Sequence, residues 1–379
     1  MIYNDFHGLK LSSLGLGCMR LPTMGEDDKI DMEKLKEMVS FALSNGINYF
    51  DTAWFYHGGT SENAIGEVLK EFPRDSYYLA DKYPGFDVKF FQDPANIFET
   101  QLSKCQVDHF DFYLLHNVAE GSIDNFLSEE YGVIPYLLEQ KRLGRIGHLG
   151  FSTHGNLQTI QRLLDAHPGV FEFCQIQLNW LDWTLQNAHR KVELLNKYNI
   201  PVWVMEPVRG GKLCNLAPEH EDMLKALHND WTMPQWAFRF LQSIPSVTMV
   251  LSGMSNMDQL AQNIDTFSEK ATLSAEETNA LLTIGKEMTG GGILHCTGCR
   301  YCTDDCPQGL NIPWLIELYN GYLYSGGKNL PVRTINTLPD DKKPAACIGC
   351  KSCEGHCPQS LPISETLKVF AQKLAEPQE

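Results

Sequence analysis

Short apolar runs alternate with longer stretches of helical periodicity along the first 270 residues of the chain. The apolar runs have the length and the residue types that are typical of strands. Eight strands are predicted in this way, at Leu14–Gly17, Asn48–Thr52, Tyr77–Ala80, Asp111–His116, Gly147–Ser152, Phe173–Leu178, Val202–Met205 and Thr248–Ser252.

A helix is predicted after each of these strands. Asp31–Ser44 begins at an acidic capping residue and ends before Asn45-Gly46, which is a turn sequence. Ser61–Lys70 keeps its apolar residues on one face. The other helices are predicted near residues 93–104, 133–142, 156–166, 187–198, 234–243 and 256–266.

The regular order of strand and helix predicts an α/β fold with a parallel sheet. Eight such units favour a closed (β/α)8 TIM barrel over an open sheet. An open dinucleotide-binding sheet carries G-x-G-x-x-G after its first strand, but here Gly15-Leu16-Gly17 is followed by Cys18-Met19-Arg20. The third glycine is missing, so we predict the barrel.

Polar residues stand at the ends of successive predicted strands. Asp51 and Tyr56 follow the second strand, Lys82 follows the third, and His116 ends the fourth. Barrel enzymes build their active sites at the carboxyl ends of the strands. One such residue alone is more often a solvated loop residue or a histidine satisfied in the core. Four groups of complementary type at successive strand ends predict a catalytic site.

The four groups suit the reduction of a carbonyl, which needs a hydride donor and an acid for the developing alkoxide. A phenol with a pKa of about 10 is a weak acid at neutral pH, and a nearby ammonium favours the phenolate. We therefore expect Lys82 to lower the pKa of Tyr56, and Asp51 to hold Lys82. His116 is expected to orient the substrate oxygen. The same groups acting in reverse oxidise an alcohol.

Several motifs resemble the aldo/keto reductase superfamily over residues 8–267. They are FDTAWFY at 50–56 with Ser61-Glu62, DKY at 81–83, LLHN at 114–117, GFSTH at 150–154 and Gln175-x-x-x-Asn179. The resemblance implies an NAD(P)-dependent oxidoreductase that acts on a small carbonyl or alcohol, with Tyr56 as general acid/base. The implied catalytic tetrad is Asp51, Tyr56, Lys82 and His116.

The resemblance also implies where a nicotinamide dinucleotide binds. The carboxamide is expected on Ser152 and Gln175, and the pyrophosphate near the loop after Met205 and the helix that follows Ser255, since a helix N-terminus favours an anion. The implied cofactor residues are Ser152, Gln175, Glu206, Pro207, Val208, Gly210, Gly253, Ser255, Gln259 and Asn263.

The choice between NAD and NADP stays open in the sequence. Relatives that prefer the 2′-phosphorylated cofactor carry Lys and Arg where this chain has Gly253 and Gln259. Arg209 is a candidate substitute for those cations, or a surface arginine. Arg20, just after the first strand, is a candidate for contact with an anionic substrate, or for a structural ion pair.

Cysteines are concentrated at the end of the chain. Of the 12 cysteines, eight lie in the last 89 residues, within two runs of the form Cys-x2-Cys-x2-Cys-x3-Cys-Pro. The ligands predicted from the two runs are Cys296, Cys299, Cys302, Cys306, Cys347, Cys350, Cys353 and Cys357. This is the bacterial ferredoxin spacing for two [4Fe–4S] clusters, in which the fourth cysteine of each run ligates the other cluster. Zinc is a weaker alternative, because zinc sites usually present separated Cys-x2-Cys pairs.

The chain is therefore predicted to hold two domains. The barrel is expected over residues 1–270, a linker helix over 271–292, and a small, α-rich, ferredoxin-like iron–sulfur domain over 293–379. The linker includes Ser274–Met288, which opens with a capping box, and the glycines at 290–292 end it.

Three functions remain compatible with this combination of a two-electron barrel and one-electron clusters. In the first, the clusters exchange electrons with a ferredoxin- or flavodoxin-like partner, through a flavin if one is bound. In the second, the barrel is an ordinary reductase, and the clusters are structural or sense oxygen. Alternatively, the whole chain is a non-catalytic redox sensor or electron carrier that uses the barrel to bind a cofactor. No flavin-specific motif is present, and the complete tetrad argues against the non-catalytic alternative.

Charge and hydropathy restrict the partners and the compartment. The formal net charge of −16, with no long Lys/Arg run, argues against nucleic-acid binding. No run of 18 apolar residues predicts a membrane span, and the first residues lack the pattern of a secretory signal. We therefore expect a cytoplasmic protein.

Overall fold

A computed structural model gives the architecture of the chain. It describes residues 1–25, 29–85, 87–290, 292–294, 296, 301–304, 306–327, 330–355, 357 and 361–376. The strands of this part are β1 (Tyr3–Phe6), β2 (Leu9–Ser12), β3 (Leu14–Gly17), β4 (Thr23–Met24), β5 (Lys29–Ile30), β6 (Tyr49–Asp51), β7 (Tyr78–Pro84), β8 (Phe110–His116), β9 (Ile146–Thr153), β10 (Cys174–Gln177), β11 (Val202–Met205) and β12 (Val247–Ser252).

In the described residues, helices alternate with the strands as far as β12, and after β12 only helices follow. They are α1 (Met32–Ser44), α2 (Ser61–Leu69), α3 (Pro94–Cys105), α4 (Ile123–Leu127), α5 (Val133–Arg142), α6 (Leu157–Ala166), α7 (Asp182–Leu185), α8 (Ala188–Lys197), α9 (Pro218–Leu227), α10 (Met233–Gln242), α11 (Met257–Thr266), α12 (Ala275–Met288), α13 (Tyr301–Asp304), α14 (Ile312–Ser325), α15 (Leu330–Thr337), α16 (Ser352–Gly355) and α17 (Ile363–Ala375).

Eight strands close into a parallel barrel, in the order β10-β11-β12-β3-β6-β7-β8-β9. Each strand pairs with the next strand of the barrel, and β12 closes the ring on β3. The predicted (β/α)8 fold is therefore confirmed. All eight predicted strands correspond to barrel strands, with bounds that differ by a few residues.

The amino-terminal hairpin of β1 and β2 was not predicted. Phe6, at the end of β1, joins the apolar cluster inside the barrel, where its ring lies 5.0 Å from that of Trp203. Tyr49 and Phe112, which are also fully buried, belong to the same cluster. The cluster fills the barrel interior, and it is formed from residues in the first halves of strands such as β6 and β8. The barrel interior is therefore filled with side chains below the carboxyl ends of those strands, where the catalytic residues are predicted.

The chain divides into two compact units. The first comprises residues 1–180 and 189–281 and contains the barrel, and the second comprises residues 181–188 and 282–379. The second unit has its own core, in which Trp314, Leu315 and Phe370 are buried. The described cysteines of the two runs pack against or lie within this core, except for Cys350, which is exposed. No helix of the described residues is long and apolar enough to cross a membrane.

Helices α2 and α3 approach closely at Gly66. A Cβ atom at this position would lie 2.5 Å from the carbonyl carbon and oxygen of Cys105. Backbone atoms at the end of α3 cannot move aside as a flexible side chain can. The contact therefore admits only glycine without a shift of one helix.

We predict that Gly66→Ala destabilises the barrel, although Ala is normally the better helix residue. Overpacking of this kind costs about 1–3 kcal/mol, so the thermal unfolding midpoint should fall. Asn63→Ala, at an exposed position of the same helix, is the matched control and should change the midpoint little. An unchanged or raised midpoint for Gly66→Ala would show that α2 and α3 are not packed in this way.

Candidate active site

Three of the four predicted catalytic residues lie at the carboxyl ends of neighbouring strands. Asp51 ends β6, Lys82 lies in the second half of β7, and His116 ends β8. Tyr56 follows β6 in a tight turn and is the first residue of a short 3-10 segment. The closed sheet brings β6, β7 and β8 side by side, so residues that are far apart in sequence meet at one end of the barrel.

The Lys82 ammonium is the centre of this group. Its Nζ lies 2.5 Å from Asp51 Oδ1, 2.7 Å from the Thr52 carbonyl oxygen and 3.4 Å from Tyr56 Oη. Lys82 is fully buried. Three acceptors match the three N–H bonds of an ammonium, which offsets the cost of taking the charge out of water. Lys82 thus has one defined orientation, with one of its donors aimed at the phenol.

The charge of Lys82 is stabilised by its neighbours. Burial alone disfavours an ammonium, but the Asp51 carboxylate and the Tyr56 phenol oppose that effect, and the pKa of Lys82 is raised above its ordinary value. Lys82 is therefore protonated throughout the physiological range. The predicted Asp51–Lys82 pair is present.

The net pKa shift of Tyr56 is opposite in direction to the one expected from the sequence. Burial raises the pKa of the Tyr56 phenol, and the lowering effect of Lys82, although of the predicted sign, is smaller. The Asp51 carboxylate adds to the rise. The sequence argument considered the ammonium and left out burial and the carboxylate behind it. In the free chain Tyr56 is thus a phenol rather than a phenolate at neutral pH.

His116 faces Tyr56 edge-on, with ring centroids 6.1 Å apart and ring planes at 88°. Burial lowers the pKa of His116 well below its ordinary value, and the positive charges of Lys82 and of protonated His154 act in the same direction. A neutral imidazole has one N–H donor and one acceptor nitrogen. His116 can therefore donate to or accept from a ligand oxygen without carrying charge.

A network behind the strand fixes the backbone of Lys82. Asp81 Oδ1 accepts from the Lys82 amide at 2.8 Å, and Gln101 Nε2 donates to the Lys82 carbonyl at 3.0 Å. Gln101 Nε2 also lies 3.0 Å from Glu62 Oε1, and Lys104 pairs with Glu62 Oε2 at 2.8 Å. Burial, and then Glu62, raises the pKa of Asp81 well above its ordinary value.

Sequence reasoning did not assign roles to Asp81 or Gln101. The signal for Gln101 was a polar residue among the buried positions of α3, which here include Ile97, Phe98 and Leu102. Polar residues on the buried face of a helix need partners inside the protein. The partner of Gln101, a strand carbonyl, is not visible without the fold.

Ser152 and Gln175 share one level of the barrel with Trp203, as register partners on β9, β10 and β11. Trp203 belongs to the interior cluster, and partners on parallel strands point to the same side of the sheet. Both polar side chains therefore face the barrel interior. Gln175 Oε1 is buried and has no hydrogen-bond donor among the described residues. An orphaned amide oxygen beside a serine fits a ligand with an amide group, such as nicotinamide.

The remaining predicted cofactor residues lie after β11 and β12, which are neighbouring strands. In the first segment, the Glu206 carbonyl accepts from Asn179 Nδ2 at 2.9 Å, and the Val208 carbonyl accepts from the amide of Gly211 at 3.0 Å. Pro207 lies between them, and Gly210 follows with a positive φ of 63°.

The second segment surrounds the start of α11. Gly253 follows β12, and Gln259 Oε1 accepts from the Ser255 amide at 2.8 Å. Asn263 Nδ2 lies 3.2 Å from Ser252 Oγ. The side chains of Gln259 and Asn263 thus hold the turn between β12 and α11 in the free chain.

Four predicted cluster ligands in the second unit line one cavity. Cys306, Cys347, Cys350 and Cys353 all contribute to its wall. These are the three leading cysteines of the second run and the fourth cysteine of the first. The set corresponds to the crossed assignment. Cys299 lies outside the described residues.

The thiols of this cavity are not gathered as ligands of a single ion. Among the described residues, no three His, Cys, Asp or Glu side chains form such a group. A four-iron cluster holds each thiolate on a different iron, so its ligands stand farther apart than those of one ion. Burial and neighbouring acidic groups raise the pKa of Cys353 to about 11. The donor set and the cavity fit a multi-iron cluster, whose cations favour thiolates.

We predict that His116 becomes protonated only at a lower pH than an ordinary histidine does. Its pKa lies well below 6.5, so protonation requires a lower pH than for an ordinary histidine. The measurement is an NMR titration of the anaerobically purified chain with labelled histidines, in which the signal absent from His116→Gln is followed. A midpoint near 6.5 for that signal would contradict the burial described above.

Comparison with known proteins agrees with this geometry. The model of the aldo/keto reductase family matches residues 13–285, and that of the 4Fe–4S dicluster domain matches residues 295–362. The chain is 27% identical to L-galactose dehydrogenase of Arabidopsis thaliana, over 76% of this chain and 96% of that protein.

Two further proteins are similar to the barrel. A probable aldo-keto reductase of Glycine max is 29% identical, over 54% of this chain and 58% of its own length. The holo form of an aldo-keto reductase from Bacillus halodurans superposes with a TM-score of 0.60 at 25% identity, over 75% of this chain and 95% of that structure. The chain is therefore a member of the aldo/keto reductase family, an oxidoreductase barrel that carries a carboxyl-terminal 4Fe–4S dicluster domain.

Proposed function

We propose that the chain interconverts a small carbonyl compound and its alcohol with a nicotinamide dinucleotide, with Tyr56 as general acid/base. The observation that carries the proposal is the Lys82 ammonium, which is fully buried and reaches both Asp51 and Tyr56. A buried ammonium held beside a phenol is costly for a purely structural purpose. It is useful where a phenolate forms and must be stabilised.

The proton chemistry follows from the state of each group. A bound nicotinamide supplies or accepts the hydride. Tyr56, which is protonated in the free chain, donates its proton to the carbonyl oxygen as negative charge develops there. Lys82 then lies 3.4 Å from the phenolate oxygen and stabilises it. Asp51 keeps Lys82 charged and oriented.

His116 has a different role from Tyr56. Because its imidazole is neutral, it does not compete with Tyr56 as a strong acid. Its N–H can donate to the substrate oxygen and fix the direction in which the oxygen faces the phenol. An uncharged donor of this kind positions the oxygen and polarises the carbonyl without adding a second cation beside Lys82.

The protonated state of Tyr56 favours reduction as the starting direction. Reduction begins with the phenol, whereas alcohol oxidation begins with the phenolate. Burial raises the pKa of Tyr56, so the free chain holds the phenol with which reduction begins. Oxidation of an alcohol by the same residues is expected to need a higher pH.

The same proposal assigns the dinucleotide to the polar residues after β9 to β12. Ser152 and the orphaned amide of Gln175 would hold the nicotinamide carboxamide. The diphosphate would lie along the loop of Glu206, Pro207, Val208 and Gly210. The adenosine end would meet the turn that contains Gly253, Ser255, Gln259 and Asn263. Because Gly253 and Gln259 carry no charge, we do not assign a preference for NADP on this turn.

We further propose that the second domain binds two [4Fe–4S] clusters. The first is assigned to Cys296, Cys299, Cys302 and Cys357, and the second to Cys306, Cys347, Cys350 and Cys353. The cavity that these last four cysteines line supports the second assignment. We assign residues 1–270 to the barrel, 271–292 to a linker that contains α12, and 293–379 to the cluster domain.

The clusters move one electron at a time, whereas a hydride carries two. We propose that a ferredoxin- or flavodoxin-like protein exchanges electrons with the cluster domain. Exposed four-iron clusters persist best where thiols stay reduced, so a cytoplasmic location suits the chain. No residue of the chain is assigned to a flavin.

Tyr56→Phe is predicted to reduce NAD(P)H-dependent carbonyl turnover by about 10²- to 10⁴-fold, which is the usual contribution of a general acid. Dinucleotide binding should change little, because the phenol oxygen is all that is removed. The assay is anaerobic, with a panel of small carbonyl compounds. Tyr3→Phe, at an exposed hairpin position, is the matched control. Turnover that survives Tyr56→Phe would refute the assigned role.

The crossed ligand assignment makes a prediction about iron content. The intact chain should bind about eight irons, and both Cys306→Ser and Cys350→Ser should lower this to about four. The double variant should also keep about four irons, because the two cysteines serve one cluster. Cys214→Ser, in the first unit, is the matched control.

Iron near zero in the double variant would assign Cys306 to the other cluster and overturn the crossed arrangement. The absorption spectrum of the same anaerobic samples reports the clusters and any flavin together.

A further inference from the structure

Asp81 is a fully buried carboxyl to which the proton chemistry above gives no role. Neighbouring residues of a strand point to opposite sides of the sheet, so Asp81 faces the surrounding helices while Lys82 reaches into the barrel. Asp81 Oδ1 accepts from the Lys82 amide at 2.8 Å, and Asp81 Oδ2 lies 3.8 Å from Cys105 Sγ. A buried carboxylate is stabilised by two or three N–H donors, whereas this carboxyl has one amide and a thiol, which is a weak donor.

Each ammonium near Asp81 already has a carboxylate partner. Lys82 pairs with Asp51, at 2.5 Å between Nζ and Oδ1, and Lys104 pairs with Glu62, at 2.8 Å between Nζ and Oε2. Asp81 forms no ion pair within the part of the chain that the structure describes. Because the two pairs are each neutral, an ionised Asp81 would add an uncompensated negative charge among buried groups, which is costly.

Glu62 offers an acceptor for a proton on Asp81. The two carboxyl groups lie within hydrogen-bonding distance of each other. Gln101 and Lys104 donate to different oxygens of Glu62, which favours the negative charge on this residue and leaves lone pairs for a further donor. Two buried carboxyls this close do not both ionise, so one proton is held between them.

The charges around Asp81 agree with a neutral carboxyl. Burial, and then the charge of Glu62, raises the pKa of Asp81 well above its ordinary value. The other titratable groups that face Asp81 come from β7, from α3, from β8 and from the turn after β3, and they are Lys82, Cys105, Tyr113 and Cys18. Of these, Lys82 alone is a cation, and its charge is already paired with Asp51.

We propose that Asp81 is a neutral positioning residue, which shares a proton with Glu62 and holds the Lys82 amide without placing a second negative charge beside the ammonium. This inference rests on the proposed function, in which Lys82 stabilises the phenolate of Tyr56. A carboxylate at position 81 would compete with that phenolate for the positive charge of Lys82. A protonated carboxyl fixes the backbone and leaves the charge available.

The protonation state of Asp81 is measured first, without turnover. The infrared spectrum of the full anaerobic chain at pH 7 should contain the C=O band of a protonated carboxyl that is absent from Asp81→Asn. Asp75→Asn, at an exposed position, is the matched control and should keep this band. A difference spectrum in which Asp81→Asn loses only carboxylate bands would overturn the proposal.

The positioning role is measured in the anaerobic carbonyl assay with two variants of Asp81. Asp81→Leu should lower kcat by about tenfold to a hundredfold, with little change in KM, because the Lys82 amide loses its acceptor and the ammonium its alignment. Asp81→Asn should recover most of this loss, since an amide accepts from Lys82 and donates to Glu62 as a protonated carboxyl does. The alkaline limb of the pH profile should not move in Asp81→Asn, because no charge is removed.

The opposite results would overturn the proposal. If Asp81 were ionised, Asp81→Asn would remove an anion near the tetrad and lower the pKa of Tyr56, so the alkaline limb would move to lower pH. Asp81→Asn as slow as Asp81→Leu, or Asp81→Leu as fast as the unaltered chain, would contradict the assigned role. Asp81→Asn and the infrared spectra decide the question even if Asp81→Leu does not fold. If the unaltered chain reduced no carbonyl compound, the proposed function would fail, and the infrared spectra would still report the state of Asp81.

Discussion

The candidate site depends on one buried positive charge. The Lys82 ammonium has an acceptor for each of its N–H bonds, and one of these acceptors is the Tyr56 phenol oxygen. Removing any acceptor would leave a buried donor unpaired, which costs about 1–3 kcal/mol or more for a charged group. The backbone of the same residue is held by Asp81 and Gln101, so both ends of Lys82 are fixed. The orientation of the phenol is a consequence of this arrangement.

Much of the barrel was predictable because its signals are local. The alternation of apolar runs and amphipathic stretches depends only on neighbouring residues, and it located all eight barrel strands. The hairpin of β1 and β2 was missed because its two four-residue strands carry few apolar residues, and the burial of Phe6 depends on a barrel that is not local. The four residues of the proposed tetrad could be named from the sequence because strand order fixes which chain segments meet. The net pKa shift of Tyr56 could not be predicted, because burial is a property of the folded environment.

In the cysteine region, the site was easier to predict from the sequence than the fold around it. The spacing of the two runs is dictated by the geometry of cluster ligation, so the kind of site could be predicted from the sequence without the fold. The core around it could not, since Trp314, Ile335 and Phe370 come from helices α14, α15 and α17, which follow no repeated motif. The crossing of Cys306 to the second run was expected from the known arrangement of bacterial ferredoxins with this spacing, and the shared cavity supports it.

The packed interior of the barrel has a kinetic consequence. The interior cluster contains the buried side chains of Phe6, Tyr49, Phe112 and Trp203, so no compound can pass through the barrel. Any compound that reaches Tyr56 has to arrive and depart on the side where the strands end. A dinucleotide bound along β9 to β12 would share that side, and it would narrow the passage when present. Under the proposed function, the single open side would favour an ordered sequence in which the dinucleotide binds before the carbonyl compound and dissociates after the alcohol.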